Sequence, residues 1–140
     1  MIVKTVPVRG VISEIAYFYV DENTRHGLLI DPGNEWRKLA SLIRSNNWII
    51  DKILLTHGHF DHFGAADELR KQFNIPIFAY EKAVEYLTDP GWNLSSLYVL
   101  PMTLEDVEYL PDGAMITSEQ MPYASLRLIS TPGHTIDSVI

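Results

Sequence analysis

Apolar and polar residues alternate in short blocks along this chain. Segments 2–8 (IVKTVPV) and 13–20 (SEIAYFYV) have the alternation of strands and are joined through Arg9-Gly10. Residues 21–27 form a polar turn, and GLLID (27–31) reads as a short buried strand stopped by Asp31-Pro32-Gly33. Asn34 is a candidate cap for a helix over 35–45, where Trp36, Leu39, Ala40, Leu42 and Ile43 share one face and Asn46-Asn47 ends the run. A buried strand is expected over 49–57, a helix over 63–73, a strand over 75–80 and a short helix over 81–89. After an irregular stretch (91–104), short strands are expected at 105–110, 114–117 and 125–131. The first three strands have no helices between them and the later ones do. That mixture predicts an α/β fold (α+β in some schemes), with a mixed sheet covered by helices.

Composition narrows the function. A chain of 140 residues suits one domain, and 46% hydrophobic with 21% charged residues supports a packed core. The net charge of −7 and the lack of a basic cluster argue against a nucleic-acid partner. No apolar run approaches the ~18 residues of a membrane span, and the N-terminus is too short in apolar residues for a secretory leader. A cytoplasmic protein acting on a small molecule is expected, without membrane or nucleic-acid partners. With no cysteine, any metal must be held by His, Asp or Glu.

The candidate chemistry lies in THGHFDHFG (56–64). His57 and His59 are two apart at the end of a strand, so their side chains leave on the same side and can converge on one ion. Asp61 and His62 leave the loop in another direction, which suits a second ion beside the first. A third ligand for the first ion is His134 in TPGHT, again on a loop after a strand, with Thr131 and Thr135 available to hydrogen-bond around it. His26 lies in a polar turn and reads as a structural or surface residue. Trp92, Tyr98 and Tyr123 either line a pocket or form part of the core.

HGHFDH resembles the HxHxDH signature of the metallo-β-lactamase-fold hydrolases, TPGHT resembles their next ligand motif, and LLIDPG their acidic turn. DPGWNLSSLY looks most like the small bacterial glyoxalase II-like members, also called hydroxyacylglutathione hydrolase-like. The resemblance implies an αββα sandwich over 1–140, with His57, His59 and His134 on the first metal and Asp61 and His62 on the second. Asp31 would brace the histidine loop, and Asp61 would also orient the attacking water. The implied reaction is hydrolysis of a thioester or related ester by a metal-bound hydroxide, with one or two zinc ions as cofactor and iron or manganese as alternatives. His59, where di-iron relatives carry glutamate, favours the zinc branch.

The motif also sets expectations about what is missing. The family's bridging aspartate and last histidine follow TPGHT, and only Asp137, in place of a glycine, stands in the remaining residues. Asp137 is too close to His134 to bridge. The second metal site is therefore expected to be incomplete, the C-terminal part of the second sheet and helix layer absent, and the chain to be the N-terminal portion of a longer protein. An open sheet would invite a homodimer. Two other functions fit the same letters: a mononuclear iron persulfide dioxygenase, and an inactive truncated fragment that binds one metal.

Overall fold

A computed structural model describes all 140 residues. Six strands form one sheet in sequence order: β1 (Ile2–Val8), β2 (Glu14–Val20), β3 (His26–Ile30), β4 (Ile49–Leu54), β5 (Ile77–Tyr80) and β6 (Val107–Leu110). The first three pair antiparallel. From β3 onward the pairs are parallel. Parallel neighbours need crossovers, and helices supply them. These are α1 (Trp36–Ser45) between β3 and β4, then α2 (Phe60–Phe63) and α3 (Ala66–Phe73) before β5. A 3-10 turn (Glu81–Ala83), α4 (Val84–Leu87) and α5 (Ser95–Tyr98) precede β6.

Period-two alternation sends side chains of the central strands to opposite faces. Leu29, Ile53, Ile77 and Ala79 face the helices and pack with Leu39, Ala40, Ile43, Phe63, Leu69 and Leu87 in the larger core. Their neighbours Leu28, Leu54 and Tyr80 face the other way and pack with Ile116, Leu128 and Val139 in a smaller one. The second face is covered by a two-stranded sheet, β7 (Met115–Thr117) and β8 (Ser125–Arg127). The chain's last residues join it, with Ser130 bridging Val139 and Ile129 exchanging backbone hydrogen bonds with Ile140. The fold is thus mixed α/β, and its second layer in this chain has only these short strands.

Several boundaries differ from the sequence expectation. The strand expected over 49–57 stops at Leu54, and β8 stops at Arg127. The helix expected over 63–73 is two pieces. Gly64 N–H bonds back to Phe60 O and closes α2, while Ala65 N–H turns away to Pro32 O before α3 starts. Asn34 does not cap α1. The N-cap is Glu35 in the left-handed region (φ 52°), and the Asn34 carboxamide oxygen accepts from the adjacent Glu35 N–H. The Glu35 carboxylate is turned instead to Arg9 N–H and tethers the β1–β2 loop.

Candidate metal centre

Parallel β3 and β4 end side by side, with Ile30 opposite Leu54. The residues just beyond them, Asp31 and Thr56–His62, therefore share the C-terminal rim of the sheet, where α/β folds place their ligands. Asp31 is buried, with φ 49°, and works as a three-way acceptor. Its carboxylate takes Thr56 N–H at 2.8 Å, Thr56 Oγ1–H at 2.6 Å and His62 Nδ1 at 3.0 Å. This fixes the start of the histidine turn and, through Nδ1, leaves His62 Nε2 free to face elsewhere.

The turn is packed from outside as well. A Cβ on Gly33 would lie 1.5 Å from Asp61 O, so only glycine lets the DPG turn press against α2. At Gly58 a Cβ would lie 2.4 Å from Tyr86 Cβ. Close approach of α4, rather than an unusual backbone angle, requires that glycine. Gly58 N–H donates to Asp137 Oδ2 at 2.7 Å, which ties the histidine turn to the TPGHT loop. Asp137 is fully buried, its other oxygen has no partner, and burial raises its carboxyl above the usual range.

Three histidines converge here. His57, His59 and His134 each offer one nitrogen within 4.8 Å of the others. Their ring centroids form a near-equilateral triangle with sides of 4.8, 5.1 and 4.9 Å. The ring planes cross at 73°, 83° and 89°, so no two stack. His57 is buried, and its Nε2 has no hydrogen-bond partner. Burial, reinforced by the neighbouring imidazoles, pushes its pKa down to about 3. His59 is likewise lowered, by burial first and then by His134. Both rings are neutral at pH 7, the state in which imidazole binds metal.

A second group adjoins the first: Glu14, Asp61 and His62. His62 Nε2 lies 3.0 Å from Glu14 Oε2 and 3.6 Å from Asp61 Oδ2. Burial disfavours the charged ring, but the hydrogen bond and charge of Asp31, with Asp61 and Glu14, outweigh it and raise the pKa of His62. Asp61 and His62 sit on α2 rather than in a loop ahead of the helix. Glu14 was missed by sequence reasoning; its one sequence signal is an acidic residue opening an otherwise apolar strand.

Other expected residues fall differently. The Thr135 hydroxyl pairs with Ser138 Oγ at 2.6 Å and Thr131 N–H with Ser138 O, so both brace the TPGHT loop rather than hydrogen-bond to His134. Trp92 lines an open cleft with His59, Tyr86, Asp89, Leu94 and His134. Tyr98 instead stacks on Phe60, and Tyr123 is 95% exposed. His26 is tied to Asp51 at 2.7 Å at the opposite end of the central strands from the histidine turn, a structural contact.

The fold and the convergent histidines define a known class. A family model described as Metallo-beta-lactamase superfamily matches residues 13–139, and the chain belongs to that superfamily. Among curated relatives, the probable metallo-hydrolase YqgX of Bacillus subtilis (strain 168) is 33% identical over 131 residues, 93% of this chain and 60% of that protein. Hydroxyacylglutathione hydrolase GloC of Haemophilus influenzae is 28% identical over 138 residues, 96% of this chain and 63% of that protein. The crystal structure of BLEG-1 B3 metallo-beta-lactamase superposes with a TM-score of 0.88 at 30% identity, covering 99% of this chain and 65% of that one. The chain therefore spans somewhat under two thirds of the length of these relatives. No helix is long and apolar enough to cross a membrane.

Proposed function

We propose that this chain carries the metal-binding half of a metal-dependent hydrolase that cleaves a thioester or related ester, with His57, His59 and His134 as ligands of one divalent ion. The observation that carries this reading is the triangle of three imidazoles with the buried, unpartnered Nε2 of His57 at one corner. A buried polar atom without a partner costs about 1–3 kcal/mol. An ion at the triangle removes that cost and meets three imidazole nitrogens, the donor set of a catalytic zinc site. GloC, whose name gives a hydroxyacyl-glutathione thioester as substrate, supports the choice of substrate class.

A zinc ion bound there supplies Lewis acidity, lowering the pKa of water from 15.7 toward ~7. The protein's own part is to keep His57 and His59 neutral, orient the ligands and receive a proton. Burial keeps His57 and His59 deprotonated. Asp31 fixes Thr56 and His62, and Asp137 holds Gly58 between the two ligands. The Asp61 carboxylate, at the start of α2, orients the attacking water and accepts its proton. The thiolate of a thioester leaves without a strong general acid, so the reaction does not require a strongly acidic group beside the ligands. The cleft beside His59 and His134, walled by Tyr86 and Trp92, receives the acyl group.

The test is metal content and hydrolysis of an acyl-glutathione thioester by the full-length protein. His57→Ala and His134→Ala are each expected to lose the tightly bound zinc and the activity. Full zinc occupancy in both variants would overturn the ligand assignment.

A further inference from the structure

The three imidazoles of the triangle come from two separate segments. His57 and His59 leave one turn, and the chain itself spaces them. His134 arrives on the TPGHT loop, so its distance from the other two depends on what joins that loop to the turn. The loop has little else to hold it. Pro132, Gly133 and His134 are exposed, and a Cβ on Gly133 would meet nothing beyond its chain neighbours within 4 Å. The backbone bonds of the loop are internal, from Thr131 N–H to Ser138 O and from Gly133 N–H to Thr135 O. A backbone bond to the histidine turn comes only at Val139, whose N–H donates to Thr56 O.

Two side chains bridge the gap. Asp137 Oδ2 accepts from Gly58 N–H at 2.7 Å, between the two ligands of the turn. The Tyr86 hydroxyl accepts from Ile136 N–H at 3.2 Å, just past His134. Tyr86 also faces the turn. A Cβ on Gly58 would lie 2.4 Å from Tyr86 Cβ, and the Tyr86 and His59 ring centroids are 6.0 Å apart with planes at 62°. The tyrosine is itself fixed: fully buried Asn93 donates from Nδ2 to Tyr86 O at 3.1 Å, and Asn93 O accepts from Phe60 N–H, next to His59. Asp137 is fully buried with Oδ1 unpartnered, a costly arrangement if stability were its only purpose. A glycine at this position has no side chain to accept the Gly58 bond, so the bridge is a feature of this chain.

We propose that Tyr86 and Asp137 are positioning residues for the metal ligands, together setting where His134 stands relative to His57 and His59. This rests on the reading of the triangle as a metal site, and adds to it two groups that act through the ligands. Without them His134 rides on an exposed loop, and the third ligand has to be ordered when an ion binds. With them the triangle is formed in advance, and that ordering cost is already met by folding. Asp137 acts here as a hydrogen-bond acceptor, because the group it meets is the uncharged Gly58 N–H.

The experiment measures zinc affinity of the full-length protein by competition with a chromophoric chelator, and the visible absorption of its cobalt(II)-loaded form, whose intensity follows coordination geometry. Circular dichroism of the metal-free forms checks folding. Asp137→Ala should bind zinc about tenfold or more weakly, as lost support around ligands does. Tyr86→Phe keeps the ring, removes only the hydroxyl, and should lose about fivefold, the worth of one hydrogen bond. Both should shift or weaken the cobalt bands. Asp137→Asn keeps an acceptor oxygen for Gly58 N–H and should recover most of the affinity lost in Asp137→Ala. Wild-type affinity and cobalt bands in either Asp137→Ala or Tyr86→Phe, even with a lower Tm, overturn the proposal while the metal-site reading stands. If Asp137→Ala does not fold, Tyr86→Phe decides by the same two measurements. An Asp137→Asn protein as weak as Asp137→Ala overturns it in favour of a charge effect. A wild type that binds neither zinc nor cobalt(II) removes the proposal and the metal-site reading together.

Discussion

Two groups of side chains share the rim of this sheet, and they gather imidazole in opposite ways. The rings of His57 and His62 are 4.0 Å apart. His57 stands among other imidazoles, out of water, and is held neutral. His62 stands among carboxylates, and is held protonated more readily than a free histidine. In the first group, His57 and His59 resist protonation and so keep lone pairs ready for a metal. The second attracts positive charge, and its carboxylates favour a proton on His62. One short turn therefore carries a neutral, lone-pair-rich group beside an acidic one.

The sharpest way to break this contrast is acid. The His57 pKa falls from 6.5 unfolded to about 3 folded, so the folded state resists its protonation. Its contribution to stability is complete above pH 6.5 and is lost as pH falls from there toward 3. Each unit of difference is worth about 1.4 kcal/mol. His62 runs the other way: its raised pKa contributes stability at low pH that disappears as pH rises through the folded value. Thermal denaturation of the metal-free chain from pH 8 to pH 4 should show a large loss of Tm in acid. His57→Gln should flatten that limb and His62→Gln should steepen it. Parallel curves for all three proteins would show that the two rings do not differ as described.

Removing the carboxylate that orients one group but not the other comes next in size. Asp31 accepts from Thr56 N–H, Thr56 Oγ1–H and His62 Nδ1, and touches none of the three triangle ligands directly. Asp31→Asn keeps one acceptor oxygen and introduces donors where donors already point. A stability loss of about 2–3 kcal/mol is expected. Zinc affinity at the triangle should change little. Calorimetric titration checks it; a fall of about 10–100-fold there, as for a direct partner of a ligand, would merge the groups into a single unit.

The two groups also differ in how far the sequence discloses them. Within the histidine turn, positions two apart at a strand end leave on one side whatever the rest of the chain does. The convergence of His57 and His59 was therefore legible from spacing alone, and a matching loop brought in His134. Glu14 was not legible, because its place depends on the β2–β3 register, which no local pattern near His62 encodes. Asp137 illustrates the same limit. Its sequence position ruled it out as a bridge, yet only the packed loop reveals it holding Gly58 N–H. The central strands were readable as buried runs, whereas the break between α2 and α3 arises from Ala65 N–H reaching Pro32 O, a contact between distant segments.

The smallest expected effect comes from the histidine outside both groups. His26 opens β3, and Asp31 follows the other end of the same strand. Five steps along the strand at about 3.3 Å each separate them, so His26 lies at the opposite end of β3 from both histidine groups. Its Nδ1 meets Asp51 Oδ1 at 2.7 Å, and Asp51 Oδ2 accepts from Ser118 Oγ at 2.6 Å, which pins β7 to β4. His26→Ala removes one hydrogen bond of a largely buried pair whose Asp51 keeps its bond to Ser118, and should cost about 1 kcal/mol. Zinc stoichiometry and affinity should be unchanged. A loss of zinc in this variant would mean that imidazole content, rather than position at the C-terminal rim, governs binding, and the distinction between the two groups would lose its physical basis.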